Sequence, residues 1–540
     1  MNRGGLLALA GLVVAAALAW WVFSAVTDED PAALGEVDFA VSCAPAVQDD
    51  FERATALLHH MMYAQAAVRF SDIVEADPDC AMAYWGVAKT QLRPLWAPPT
   101  DDEFTRGSEA VAQARALAAP SEREQAWIEA IGTYYDTAAG ATHAEGVQAW
   151  ESAMGDLHAN WPEDIDAGAF YALAQVATAP SDDHTYSHQR RAGALLEELL
   201  EKAPEHPGLF HYLIHAYDNP ELAEQAVDVA RAYDQLAPDV PHALHMPSHI
   251  FVRLGIWPDT IEWNRRSAEA ALRQSPDAYV SMHHVHALDY EIYGYLQQGR
   301  DDRAREVLEE IRGVENYQPH PATAYGIAAA QARYALERRD WAQAASLPPR
   351  IHEAFPWDDY PAFEAITYWA RGLGAARTGD LDAAREAVER LDAFHQRTLE
   401  QAEDYWALHV DVQRKTVEAW IAHAEGNRER ARQLMMVAAE LEDSVDKSPI
   451  TPSAVLPARE LYGDMLLDYG MHELALEAYE QALRISPNRF HSLYGAGLAA
   501  SHAGGRPQVA REYLKQLIRI AEGNAEHRPQ LQQAMTLVDS

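Results

Sequence analysis

The sequence predicts an all-α protein: a right-handed solenoid of helical hairpins of the kind built by tandem repeats, preceded by one N-terminal membrane-spanning helix. Three observations carry this reading. Past residue 45 no stretch sustains the period-two alternation of a strand, and no Asn-Gly or Asp-Gly pair marks a β-hairpin turn. Small, aromatic and proline positions recur instead at a spacing of about 34 residues. Third, Leu6 to Val26 is an uncharged run of 21 residues.

That run is the first element, assigned to 1–30. It is long enough to cross ~30 Å of hydrocarbon as a helix, whereas the apolar core of a cleaved signal is about 7–15 residues. Trp20, Trp21 and Phe23 suit the membrane interface. Arg3 precedes the run and Asp28, Glu29 and Asp30 follow it, which keeps the N-terminus in the cytoplasm and sends the rest of the chain outside. A cleaved signal remains the alternative, with the same destination for the mature chain.

Residues 31–44 read as a linker. Cys43 at its end and Cys80 are the only cysteines, an even number in what this destination makes an oxidising setting. Cys43 stands before the first helix and Cys80 after the Asp77-Pro78 turn that ends the second, so a bridge would staple the ends of one hairpin. Chain entropy values such a loop at about 4 kcal/mol. Two unpaired buried thiols are the alternative.

Helical arrays follow over 45–320 and 321–540. The clearest unit is 456–489, where Gly463, Ala475, Tyr479, Ala482 and Pro487 occupy the small, small, aromatic, small and proline slots of a tetratricopeptide repeat. Gly463 and Ala475 let two helices approach, and Pro487 ends the second. Ala54, Ala66, Phe70, Ile73 and Pro78 mark the first unit, and Ala192, Leu196, Leu199 and Pro204 another, followed by Ala226, Ala230, Tyr233 and Pro238. Hairpins also turn at Gly379 and Gly426, whereas 95–190 cannot be phased.

Composition limits the partners. With 48% hydrophobic residues the chain can bury ample core, and 43 Lys+Arg against 82 Asp+Glu give a net charge of -39. Such a surface repels phosphate backbones, so no nucleic-acid partner is expected, while it suits cations or basic partners.

Nine of the 24 histidines fall within 206–286. His211 and His215 stand four apart in "FHYLIHAYD"; His242, His245 and His249 stand three and four apart in "PHALHMPSHIFVRLGIW"; His286, Asp289 and Tyr293 keep the same step. Residues so spaced share one face of a helix. Together with "FERATALLHHMMYAQAAVRFSDIVEADPDCAMAYWGVA" (51–88) and "PARELYGDMLLDYG" (457–470), these histidine segments resemble a family of exported bacterial tetratricopeptide-repeat proteins, over nearly the whole chain past residue 40. The resemblance implies a repeat fold and an exported location; together with the apolar run this places the chain at the bacterial inner membrane, single-pass and facing the periplasm. It implies no particular activity. The sequence also keeps Cys43 and Cys80 where the family pattern suggests a pair.

In such solenoids the first helix of each hairpin lines the concave surface, where a protein or peptide partner would bind. Phasing back from Pro204 and Pro238 puts His211, His215, His242, His245 and His249 there, and phasing on Gly299 and Ala304 adds His286 and Asp289. Imidazole and carboxylate are ligands for Zn, Cu, Mn or Fe, and Asp218 could fix a tautomer from behind. A purely structural histidine network and contacts to an organic or peptide ligand stay open. Pro247 inside a predicted helix means either a kink or a helix that starts near Met246. His59 and His60 carry less information, since adjacent residues face apart. Trp96 and its "LWAPPT" turn are expected to pack the first hairpins, and Asp358 and Asp359 to bind a cation weakly at most.

No Gly-x-Ser-x-Gly elbow, His-Glu-x-x-His or phosphate loop is present, and Ser248 is a poor nucleophile beside His249. The expected function is therefore a membrane-anchored binding scaffold with a histidine-lined groove that binds a divalent transition metal. A metal-dependent enzyme is the rival, with His211, His215, His245 and His249 as ligands and Asp289 as ligand or general base.

Overall fold

The structure, a computed structural model, describes residues 33–539 apart from 118, 120, 276–277, 505 and 522–527. Among the described residues regular structure is helical, with one isolated parallel bridge between Val280 and Tyr317. The hairpin Ala458–Asp468 and His472–Ile485 shows why the repeat slots hold the residues they do. A Cβ on Gly463 would lie 2.8 Å from the Tyr479 ring, and one on Gly495, in the next hairpin, 2.3 Å. One aromatic ring thus locks two successive hairpins, and only glycine leaves room for it. Phe70 does the same against Gly86 in the first repeats.

The first hairpin is Gln48–His59 and Tyr63–Ala76, and its ends are joined by a Cys43–Cys80 disulfide with the Cα atoms 4.8 Å apart. The segment expected as a linker is packed instead. Phe39 is buried with its ring centroid 5.4 Å from that of Phe51 and 5.0 Å from that of Trp127, and the Leu34 carbonyl faces Nε2 of His60 at 3.0 Å. Protein purified without reductant is expected to show no titratable thiol until it is denatured and reduced; two native thiols would contradict the bridge.

The array coils on itself. Gly255, in the left-handed region at φ 65°, ends the helix Pro247–Leu254, and the Trp257 indole nitrogen donates to the Asn488 carbonyl at 2.9 Å. Residues some 230 positions apart therefore touch. The two large core clusters, Leu34–Trp263 and Ile261–Ala510, meet near residue 262, inside the array expected over 45–320.

The inner face carries a segment of the chain itself. From Asp446 to Ala454 the backbone crosses successive inner helices: Asp446 N donates to Ser181 O (2.9 Å), Tyr290 Oη donates to Thr451 O (2.9 Å), and Arg333 Nη1 donates to Ala454 O (3.2 Å). The open concave groove expected for a peptide partner beside the histidines is thus occupied in part by the chain itself. Its filler is a loop with no helical periodicity to announce it.

The single-pass inner-membrane placement is corrected as well. No helix among the described residues is long and apolar enough to cross a membrane. The apolar run Leu6 to Val26, on which that placement rested, lies outside the described residues.

Candidate metal centre

Four inner helices bring the histidines together: Pro207–Tyr217, Pro241–His245, Pro247–Leu254 and Met282–Gln297. A helix starts at Pro247, as the second option had it, but His242 and His245 stand on a short helix of their own rather than on a loop. Met246 keeps helical dihedrals (φ -53°, ψ -40°) and links two short helices, so His242 and His245 stand on the first and His249 on the second. The break divides what would have been one stripe.

Two triads result. His211, His215 and His242 form one, and His245, His249 and His286 the other; within each, one nitrogen per ring lies within 4.8 Å of the others. All six are buried. The triads abut, with ring centroids 5.7 Å apart between His215 and His249 and 6.0 Å between His242 and His245.

Hydrogen bonds behind the rings fix the tautomers. His211 Nδ1 faces the His59 carbonyl at 2.7 Å and must donate to it, which leaves the lone pair on Nε2. His249 Nδ1 faces Asp218 Oδ2 at 2.8 Å and donates likewise. His245 Nδ1 faces Asn264 Oδ1 at 2.7 Å; the Asn264 amide is oriented by its own donation to Thr260 O at 2.7 Å, so oxygen, not nitrogen, meets the ring. His245 and His249 therefore each carry a lone pair on Nε2, and these two atoms are 3.0 Å apart. Two lone pairs at that distance repel unless a proton or a cation lies between them. Tetrahedral ligands about 2.0–2.1 Å from one zinc ion stand roughly 3.3 Å apart, close to this spacing. In the other triad His211 Nε2, His215 Nε2 and both nitrogens of His242 are buried without a hydrogen-bond partner, a costly state for a purely structural network.

The electrostatics oppose a proton in that gap. Burial lowers His215 to about 3 and pushes His211, His242, His245 and His286 well below the ordinary imidazole value, and neighbouring imidazoles add to this. His249 is also lowered by burial, against the pull of Asp218. For Asp218, burial works upward, but Lys447, Arg253 and His249 outweigh it and hold the carboxyl ionised. Lys447 Nζ donates to Asp218 at 2.7 Å and Arg253 Nε at 2.8 Å.

Asp289 is not with the histidines. Its carboxylate pairs with the buried Arg333, 3.3 Å from Nε, and burial raises its pKa in spite of that partner. The helix stripe placed it correctly beside His286, yet the next inner helix, Pro321–Leu336, supplies a cation that claims it. It stands in neither triad. Asp358 is likewise paired, with Arg350. Ser248 donates to the His245 carbonyl at 2.6 Å.

Several partners escaped sequence reasoning. Tyr290 packs its ring against His245, His249 and His286 at 4.6, 5.4 and 5.3 Å. Trp96 caps His242, His283 and His320 rather than packing hairpins alone. His59, the last residue of the helix Gln48–His59, meets Asp166 at 2.7 Å, and His206 approaches the same carboxylate at 3.3 Å. Only the one-turn step from Tyr290 to His286 had a local signal.

These shifts set an acid response. Unfolded, each imidazole takes a proton near pH 6.5; folded, His215 resists down to about 3, and His59 and His283 to about 4. Between those values the unfolded chain binds more protons, so stability is whole above about pH 6.5 and falls as pH drops toward 3. Chemical-denaturation midpoints of the metal-free protein are expected to fall steadily from pH 7 to 4.5, and a flat profile would contradict this. Direct proton competition with a bound metal is set to acid conditions for the same reason.

Fold and site together define a helical-repeat protein with two buried imidazole triads. Residues 456–489 match the tetratricopeptide repeat family, and such repeats bind protein partners. No curated protein sequence matches the chain. Among solved structures, a human IFIT1 dimer with PPP-AAAA is similar at 12% identity over 89% of this chain and 96% of that one, with a TM-score of 0.39. Yeast Tom70 is similar at 11% identity over 92% and 95%, with a TM-score of 0.29. Superpositions this loose say nothing about the histidine site.

Proposed function

We propose that this protein is a transition-metal-binding scaffold, in which the helical repeats position His211, His215, His242, His245, His249 and His286 as ligands. The observation that carries the reading is the pair of Nε2 lone pairs on His245 and His249, 3.0 Å apart, with both Nδ1 atoms already committed to Asn264 and Asp218. A carboxylate behind a ligand imidazole is what holds metal-binding histidines in register and raises their basicity. The orphaned nitrogens of the first triad point the same way.

The site is reachable. A cavity of about 270 Å³ is lined by His215 of the first triad together with Asp218, Asn219, Tyr405 and Lys447. With Asp289 tied to Arg333, the enzymatic alternative has lost its proposed base. Protein prepared without a histidine tag, exposed to Zn, Cu, Mn and Fe and then desalted, is expected to retain zinc or copper in stoichiometric amount on elemental analysis. Imidazole without carboxylate disfavours manganese. Retention of none of the four metals would end the proposal.

A further inference from the structure

The metal reading says nothing about how many ions are held or which. Resting on that reading, we infer that the two triads hold a pair of copper ions side by side, one per triad, taken up in the monovalent state.

Two sets follow from the spacing of the histidines. His242 and His249 stand seven residues apart, about 10 Å of helix rise, too far for His242, His245 and His249 all to reach one ion. His242 lies with the two histidines of helix Pro207–Tyr217, and His245 and His249 lie with His286. Each set is a complete three-nitrogen donor group, and no backbone separates them, because rings of one set touch rings of the other. A single ion could satisfy only one set and would leave the other's buried lone pairs unmatched.

Charge selects the metal. All six ligands are neutral imidazoles, and neither set includes a carboxylate. The nearest anion, Asp218, is already matched by Arg253 and Lys447. Two divalent ions would bring four charges into a buried space without an anionic ligand, and two monovalent ions bring half as many. Cu(I) is the monovalent ion of this series that imidazole binds.

An independent feature agrees. Beyond His242 the row of rings continues to His283 at 5.2 Å, and His283 lines a cavity of about 100 Å³ together with Met61, Met62, Met282, Trp96 and His320. Nδ1 of His283 is buried there without a partner. Thioether and imidazole together are soft donors that favour Cu(I) over Zn(II). This cavity thus sets methionine side chains beside His283, at the outer end of the row of rings that begins with the first triad.

The test is an anaerobic titration of metal-free, tag-free, full-length protein with Cu(I) delivered as its bicinchoninate complex. Two equivalents are expected to transfer to the wild type, one to His215→Ala and one to His249→Ala, with circular dichroism confirming that each variant is folded. Wild-type stoichiometry is decisive even if a variant fails to fold. A single equivalent would overturn the pair while leaving the metal-binding function standing, whereas no transfer of copper and no retention of zinc would sink both. Protein offered equal Cu(I) and Zn(II) that keeps zinc would overturn the choice of metal.

Discussion

Replacing His215 and His249 together by alanine is expected to abolish stoichiometric metal binding, because the double variant takes one ligand from each triad. Loss of an outer support alone usually weakens a site by about 10–100-fold, so loss of a ligand from each triad should exceed about 100-fold. The substitutions also act on stability. A repeat solenoid draws most of its stability from inter-repeat packing. In the structure both rings are buried, so each truncation removes packed volume, and a fall of about 1–3 kcal/mol per site is expected even without metal. Asp218 is not stranded, since Arg253 and Lys447 still hold it. Equilibrium dialysis against zinc or copper, with denaturant midpoints measured in parallel, separates the two effects. A double variant that retains full metal would contradict the ligand assignment.

The second large effect lies far from the histidines. Arg489 is wholly buried at the point where the C-terminal repeats return to the middle of the chain. Its guanidinium donates to Glu337 at 2.7 Å, Glu460 at 3.0 Å and Tyr293 Oη at 3.1 Å. Glu460 also takes Arg339 at 2.8 Å; burial works against its ionised form, and the two guanidiniums reverse this and hold it strongly acidic. Replacing Arg489 by Met keeps much of the volume but leaves Glu337 with no paired cation and Glu460 with one. Breaking a buried pair from one side costs about 3–5 kcal/mol. The variant's denaturant midpoint at pH 7 should fall accordingly, and its deficit should shrink in acid as the stranded carboxylates protonate. A variant as stable as the wild type at pH 7 would show that the network is dispensable.

What the sequence disclosed was local. The slots Gly463, Tyr479 and Pro487 could be read because each acts within one hairpin or on the next, and the stripes His211/His215 and His245/His249 because a helix face is fixed by spacing alone. Asp218 was placed behind the site and stands there, on His249. The failures are long-range. Lys447 reaches Asp218 across 229 positions, and Arg333 takes Asp289 across 44. Residues 446–454 occupy part of the groove without any periodic pattern to foretell it. Pro247 signalled an irregularity but not its consequence, since whether His242 and His245 part company depends on where the neighbouring helices sit. Adjacent His59 and His60 do face apart, each toward its own buried partner, Asp166 and Tyr233, and nothing local marks either.

X-ray absorption at the metal edge of the loaded protein tests the central claim most directly. The account predicts a first shell of nitrogen alone, about 2.0 Å from the ion, with the multiple-scattering pattern of at least two imidazoles per ion. A shell dominated by oxygen, or one lacking the imidazole pattern, would contradict it.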